Sequence, residues 1–375
     1  VAIVTESFLP SVNGVTNWVL WVLDTVRSHG HDAIVIAPTS DSAEYRGFPV
    51  VTTPFVPLVG FPVAIPTPAV AQAIDSFSPD VIHAAAPFWL GGQALAHAQK
   101  RGIPSVAVYQ TDVAGYMARY GIDFATPLLD GITAAIHRQA NLTLAPTPDG
   151  VSYLKRLGVG NVEVWGRGVD TYLFNPTRRG SERVATLRQR IAPHGEAVIG
   201  YVGRLAPEKQ VERLKELCGL QNTRVLIVGD GPSRAELQAH FEGYSVTFTG
   251  RLSGEELADA YAAMDVFVHA GTEETFGQTI QEAHASGLPV IAPVRGGQRH
   301  LVRHGIDGFL VEHTVWGAFR ERVEQLVSQP ALLAQQARAA REAVEGKTWE
   351  KNNHALLEFY RSVLAPTPAR LPAAA

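Results

Sequence analysis

The sequence predicts an α/β protein made of two successive doubly wound domains. Three observations carry this. Apolar, β-branched runs alternate with turns rich in Gly, Pro, Asn and Asp and with stretches of helical period. The alternation runs once through the first half of the chain and restarts in the second. Finally, 375 residues at roughly 150 per domain make about two domains, and 46% hydrophobic against 18% charged residues supply two cores.

Taken in order, Val1–Thr5 reads as the first strand. It leads through Pro10-Ser11-Val12-Asn13-Gly14 into a helix with Val15, Val19, Val22 and Val26 on one face, ending at Gly30. Ala33–Ala37, Val81–Ala84 and Ser105–Tyr109 follow as strands. Continuous apolar runs of this kind suit a parallel sheet covered by helices on both faces. The second set is Ala197–Val202, Arg224–Val228, Ser245–Thr249, Val266–His269 and Pro289–Ala292. The break falls near Arg167-Gly168-Val169-Asp170, giving expected domains of 1–166 and 167–348. A last helix follows Thr348, with Trp349, Leu356, Leu357, Phe359, Tyr360 and Val363 as its apolar side, and the Pro/Ala-rich tail 366–375 is expected to fray.

Composition excludes several functions. A formal net charge of -4 argues against a nucleic-acid partner held by bulk positive charge. The single cysteine, Cys218, forms no intramolecular disulfide, and no Cys/His set has structural-zinc spacing, so a reducing cytoplasm is expected. The opening residues carry no basic n-region or cleavage site, so no signal peptide is expected in them. Gly47–Ile74 lacks Asp, Glu, Lys and Arg and is long enough to span a bilayer. Its six prolines (49, 54, 57, 62, 66 and 68) rule out a single spanning helix, and it reads as a Pro-rich loop.

Three motifs carry chemistry. Gly14 sits between strand and helix, where backbone N–H groups approach a phosphate, although Asn13-Gly14 also reads as a plain tight turn. The glycine fingerprint of dinucleotide binding is missing there, which disfavours a nicotinamide or flavin cofactor. The second is Gly203–Lys209, where Arg204 and Lys209 follow a strand end and suit a diphosphate, Arg as a planar fork and Lys as a point charge. The third runs from Gly271 to Ala283: Glu274 precedes a helix that starts near Phe276-Gly277, and Glu282 lies within it. Free N–H groups at that start hold a phosphate while carboxylates accept from sugar hydroxyls, which together describe a nucleotide sugar. For Glu282 a half-buried carboxylate paired with a basic neighbour is the alternative. No Asp-x-Asp triplet is present, so no metal is expected and the cations answer the leaving diphosphate.

With these residues in view, the chain resembles glycosyltransferase family 4, retaining enzymes of the GT-B fold. The likeness runs through Pro10–Gly14, Asp80–His83, Gly168–Asp170, Phe174–Pro176, Val202–Leu205, Val228–Pro232, Phe248–Gly250, the two glutamates and Gly287–Val290. It is most similar to actinobacterial GDP-mannose-dependent lipid α-mannosyltransferases. The resemblance implies two facing Rossmann-like domains. An acceptor-binding domain would span 1–166 plus a returning helix at 349–365, and a donor-binding domain 167–348. It also implies transfer of mannose from GDP-mannose to a lipid-linked acceptor of glycolipid or phosphatidylinositol type, with no cofactor. Arg204 and Lys209 would meet the diphosphate, Glu274 the sugar and Glu282 the ribose. Backbone at Gly203, Phe276, Gly277 and Gln278 would meet sugar and phosphates, backbone near Arg251 the base, and Gly14 would approach from the other domain. Many relatives carry His where this chain has Gln110, which cannot serve as a base near neutral pH, so hydrogen bonding to the sugar is its implied task. Asp112 is a second candidate, for orienting the sugar or assisting the acceptor, against plain helix capping. A UDP-sugar-dependent glucosyl- or sulfoquinovosyltransferase stays open, as does a GT-B epimerase.

On the acceptor side, Gly47–Ile74 presents Phe55, Val56, Leu58, Val59 and Phe61 for a lipid tail or membrane surface, or simply packs on its own domain. The helix near Gly115–Tyr120, with Arg119, is a further candidate. Without a strong basic amphipathic helix, membrane contact is expected to be weak and peripheral, at the inner face of the plasma membrane. His83 and His269 each read equally as cleft residues or as satisfied histidines.

Overall fold

The computed structural model describes residues 1–11, 13–58, 61–65, 67–110 and 126–365. These residues form two compact units: one of 1–110, 126–166 and 350–365, the other of 167–349.

The sheet of the first unit runs, in spatial order, Val162–Val164, Leu142–Ala145, Ser105–Val108, Ile82–Ala85, Ala2–Thr5, Ile34–Ala37, Phe48–Thr52 and Glu44–Tyr45. All pairings are parallel except the last, which is antiparallel. The four central strands are buried at every residue, which is why they are runs of small and apolar side chains interrupted only by Thr5, His83 and Ser105. Chain order reverses between Ala2–Thr5 and Ile82–Ala85, the switch point where a sheet of this kind opens a crevice at its strand ends.

The Gly14–Ser28 helix is capped by Asn13, whose Oδ1 accepts from the N–H of Val15 and Thr16. It buries Trp18, Val19, Val22, Leu23 and Val26, so the apolar face is rotated from the valine stripe and Val15 is only half-buried. The Trp349–Leu364 helix packs in this unit: Asn353 Nδ2 donates to Trp21 O at 3.0 Å and Thr25 Oγ1 at 2.9 Å, and Trp165 Nε1 donates to Asn352 O at 2.9 Å. Tyr360 Oη shares a 2.8 Å hydrogen bond with His83 Nδ1. Burial drives the His83 pKa down to about 3, so His83 is a neutral, satisfied core histidine and its cleft role is withdrawn.

Gly47–Ile74 is not a loop. Phe48–Thr52 joins the main sheet, Phe55–Leu58 pairs antiparallel with Phe61–Ala64, and Pro68–Phe77 is helical with Thr67 as its cap. The prolines fit because Pro57 lies opposite Pro62 in an isolated two-stranded ribbon, where an absent N–H breaks no wider ladder, and Pro68 takes the first helical position. Phe55 and Val56 are exposed, as expected for a contact surface, while Val59 lies outside the described residues. No helix among the described residues is long and apolar enough to cross a membrane.

The second unit is a six-stranded, wholly parallel sheet ordered Val246–Gly250, Thr223–Val228, Ala197–Val202, Val266–Val268, Val290–Pro293 and Gly308–Val311. Separate apolar cores cover its two faces. Its order reverses between Ala197–Val202 and Val266–Val268. Arg341, near the end of the Pro330–Glu342 helix, knots three segments of this unit: its Nη1 donates to the carbonyls of Thr171 at 3.2 Å, Phe174 at 3.0 Å and Ala285 at 2.7 Å.

Candidate active site

The second unit gathers its chemistry at its switch point. Ala197–Val202 runs out into Gly203–Leu205 and the short Pro207–Lys209 turn, while the adjacent Val266–Val268 runs out into His269–Glu274. These two strand ends approach closely at Gly271: a Cβ there would stand 3.1 Å from Glu208 O and 3.2 Å from Lys209 Cα. Glycine therefore lets one loop lie against the other, and Lys209 Nζ forms an ion pair with Glu274 Oε1. Both side chains are largely covered, at 20% and 19% exposure.

The electrostatics follow from that closeness. Burial alone raises the Glu274 pKa, but Lys209 first, then His269 and Arg167, outweigh it and hold the carboxyl below its usual value. His269 is buried, and its Nε2 lies 3.8 Å from Glu274 Oε1. Burial pushes its pKa down to about 4, against the pull of Glu274. Arg167, the first residue of this unit, places Cζ 5.6 Å from the ring centre of Phe276. Burial lowers its pKa to about 10 while Glu274 raises it, so it stays a cation at neutral pH.

Behind Glu274 the Gln278–Ala285 helix begins at Gly277, whose φ of +105° is a conformation that favours glycine. No side chain caps this helix, in contrast with the Asn13-capped helix of the first unit. The start of the helix thus presents N–H groups suited to an anion. Gln278 anchors it through Nε2 to Gly168 O at 3.0 Å, and Phe276 is buried beneath. One turn on, Glu282 accepts from Tyr261 Oη at 2.9 Å, so its partner is a hydroxyl and not a basic neighbour. Burial pushes Glu282 up to about 7, with the Tyr261 hydrogen bond working against it.

Arg204 is 42% exposed, with Nη1 3.8 Å from Glu208 Oε1. Arg251 is exposed just past Val246–Gly250, and Gly203 N donates to Val228 O at 3.0 Å. Thus Gly203, Arg204, Lys209, Arg251, Glu274, Phe276, Gly277, Gln278 and Glu282 all belong to the second unit. Gly14 opens a helix of the first unit, and Gln110 is buried there just beyond Ser105–Val108. Asp112 and Gly115–Tyr120 lie outside the described residues. Sequence reasoning left out Arg167 and Tyr261. The signal for Arg167 was an arginine between two glycines at the domain entry, but the sequence marks that segment only as a boundary.

Residues 12–173 match the model described as Glycosyltransferase Family 4, and residues 184–343 match Glycosyl transferases group 1. A GDP-mannose-dependent alpha-mannosyltransferase of Corynebacterium glutamicum is 42% identical over 97% of this chain and 89% of that protein. Its namesake from Mycobacterium tuberculosis is 43% identical over 97% and 96%. The sulfoquinovosyl transferase SQD2 of Arabidopsis thaliana is 36% identical over 71% of this chain and 52% of its own length. Among solved structures, sucrose-phosphate synthase from Thermosynechococcus elongatus is similar in fold at a TM-score of 0.80 and 22% identity, covering 98% of this chain and 100% of its own. Anabaena HepE in complex with UDP and glucose follows at 0.75 and 21%, covering 96% and 99%. The chain is a glycosyltransferase of the GT-B fold and belongs to family 4.

Proposed function

We propose that the enzyme is a retaining, metal-independent α-mannosyltransferase that moves mannose from GDP-mannose to a lipid-linked acceptor of glycolipid or phosphatidylinositol type. The observation that carries the donor reading is the Lys209–Glu274 pair, set at the switch point beside an uncapped helix start. Cation, carboxylate and free N–H groups there match the diphosphate, the sugar hydroxyls and the phosphate oxygens of one ligand. The relatives named for GDP-mannose support the choice of nucleotide and sugar.

In the reaction the acceptor hydroxyl attacks the anomeric carbon on the face from which the diphosphate departs. The bond from that carbon to the phosphate oxygen breaks, and the acceptor's proton passes to the departing oxygen. Lys209, Arg204 and the N–H groups at Gly277 and Gln278 stabilise the charge that develops there, with no metal. Glu274 orients the sugar, Glu282 the ribose and Arg251 borders the base. Gly14 and Gln110 act from the first unit, Gln110 by hydrogen bonding to the sugar, and Asp112 orients the sugar or assists the acceptor. The exposed Phe55 and Val56 of the uncharged hairpin support a weak peripheral contact with the cytoplasmic membrane face or a lipid tail. A UDP-sugar-dependent glucosyl or sulfoquinovosyl transfer is the second reading, and the likeness to a sulfoquinovosyl transferase favours its sulfoquinovosyl part.

A donor screen decides between them: radiolabelled GDP-mannose, UDP-glucose and UDP-glucuronate over an extracted lipid mixture with EDTA present. Label is expected in the lipid phase from GDP-mannose only. Transfer from a UDP-sugar alone would overturn the donor, and loss of transfer in EDTA would overturn metal independence.

Glu282 adds a pH dependence. A ribose hydroxyl donates to the ionised carboxylate, so donor binding favours the form populated above about pH 7. Calorimetric GDP affinity is expected to fall as pH drops from 8 to 6, and Glu282→Gln should flatten the Glu-dependent part of that slope. Matching profiles for the native protein and the variant would remove Glu282 from the site.

A further inference from the structure

His269 sits in this site without a task in the steps above. It directly follows Val266–Val268 and is 2% exposed, and neither ring nitrogen has a hydrogen-bond partner among the described residues. Leaving a buried polar group unanswered is destabilising, so such a group asks for an explanation. Its Nε2 is 3.8 Å from Glu274 Oε1, just beyond hydrogen-bonding range, and that same oxygen is engaged by Lys209 Nζ. The residues assigned to the donor's diphosphate and to its transferred sugar are thus paired with each other. A diphosphate carries more negative charge than a carboxylate and draws the Lys209 ammonium toward itself. Glu274 then loses its main partner while remaining largely covered, and a covered carboxylate needs another donor.

We propose that His269 is a positioning residue that takes over Glu274 when Lys209 turns to the diphosphate: its Nε2–H closes the 3.8 Å gap and donates to Glu274 Oε1, holding the carboxylate toward the sugar hydroxyls. The inference rests on the donor reading above. With its pKa near 4 the imidazole is neutral at physiological pH and carries one N–H, so it replaces an ammonium without adding a second cation beside Lys209. Glu274 and Lys209 are the charged groups that face it, and Arg167 supplies a further charge that acts on Glu274. The exchange keeps Glu274 ionised and aimed throughout, whichever phosphate contact Lys209 makes.

The test is a double-mutant cycle read by calorimetric titration of GDP, with UDP in parallel, into the full chain. GDP has the diphosphate and lacks the transferred hexose, so it reads the exchange of partners without depending on turnover. His269→Leu is expected to weaken GDP binding about tenfold with Glu274 in place, and by less than about twofold in a Glu274→Gln background. His269→Gln, whose amide reaches near the position of Nε2, should stay within about threefold of the native protein. Equal losses in both backgrounds would mean a packing defect and overturn the proposal, as would Gln proving as harmful as Leu. Should His269→Leu fail to fold, His269→Gln and His269→Asn carry the test. The shorter Asn does not reach the carboxylate, and equal affinities for the two overturn the idea. Failure of the donor reading looks different: neither nucleotide binds the native protein, or Lys209→Ala leaves binding unchanged. Either result takes this proposal down with it.

Discussion

Lys209→Ala is expected to lower kcat by about two to three orders of magnitude, the usual effect of losing one group that meets developing negative charge. Where water is largely excluded such charge is met by fixed groups, and Lys209 is the cation that the Gly271 approach brings to the Glu274 carboxylate. Arg204 is exposed enough for solvent to screen it, so it replaces little of the loss. The variant is expected to fold, because the Glu274 carboxylate keeps Arg167 and His269 nearby. Initial rates at saturating donor and acceptor check this. Lys209→Arg should restore only part of the rate, since a planar fork does not occupy the place of a point charge. A kcat within about threefold of native for Lys209→Ala would remove the residue from the chemistry.

Arg341→Ala is expected to destabilise the second unit by about 2–4 kcal/mol, with a drop in its melting temperature of roughly 4–16 °C. The guanidinium answers three carbonyls at once, and two of them, Thr171 and Phe174, belong to the segment that enters the unit. The third is Ala285, the last residue of the helix that carries Glu282, where a cation also suits the negative end of the helix. Alanine leaves all three without this partner, and water reaches them only in part because Arg341 is half-buried. Lysine has a single, more strongly hydrated nitrogen and loses the second bond that Nη2 makes to Thr171 O, so Arg341→Lys should recover less than half of the loss. Thermal and urea unfolding measure both variants, and a melting temperature unchanged by Arg341→Ala would show that the knot contributes nothing.

Where the chain was legible, one physical pattern did the work. Buried parallel strands are uninterrupted apolar runs, so Ala197–Val202 and Val266–Val268 stand out, and the residues just after them fall at the switch point. Glu274 and the helix start at Gly277 were legible for the same reason. The hairpin at Phe55–Ala64 was not, because a two-stranded ribbon with facing prolines has no period to read and six prolines look like a loop. Arg167 and Tyr261 reach the site from segments remote in sequence, and only the fold brings them to Glu274 and Glu282. His83 was ambiguous because the residue that satisfies it, Tyr360, lies 277 positions away.

The returning Trp349–Leu364 helix gives this distance a consequence in time. The first unit is interrupted: its final helix is translated only after the whole of the second unit has been synthesised. Until then the first unit lacks Asn353, which bonds the Gly14–Ser28 helix, and Tyr360, which bonds His83 of the sheet. The described residues of the second unit run unbroken from 167 to 349, so they are all synthesised before the rest of the Trp349–Leu364 helix. Cutting the chain at the 166/167 junction would leave one fragment without its closing helix and the other carrying that helix with nothing to cover.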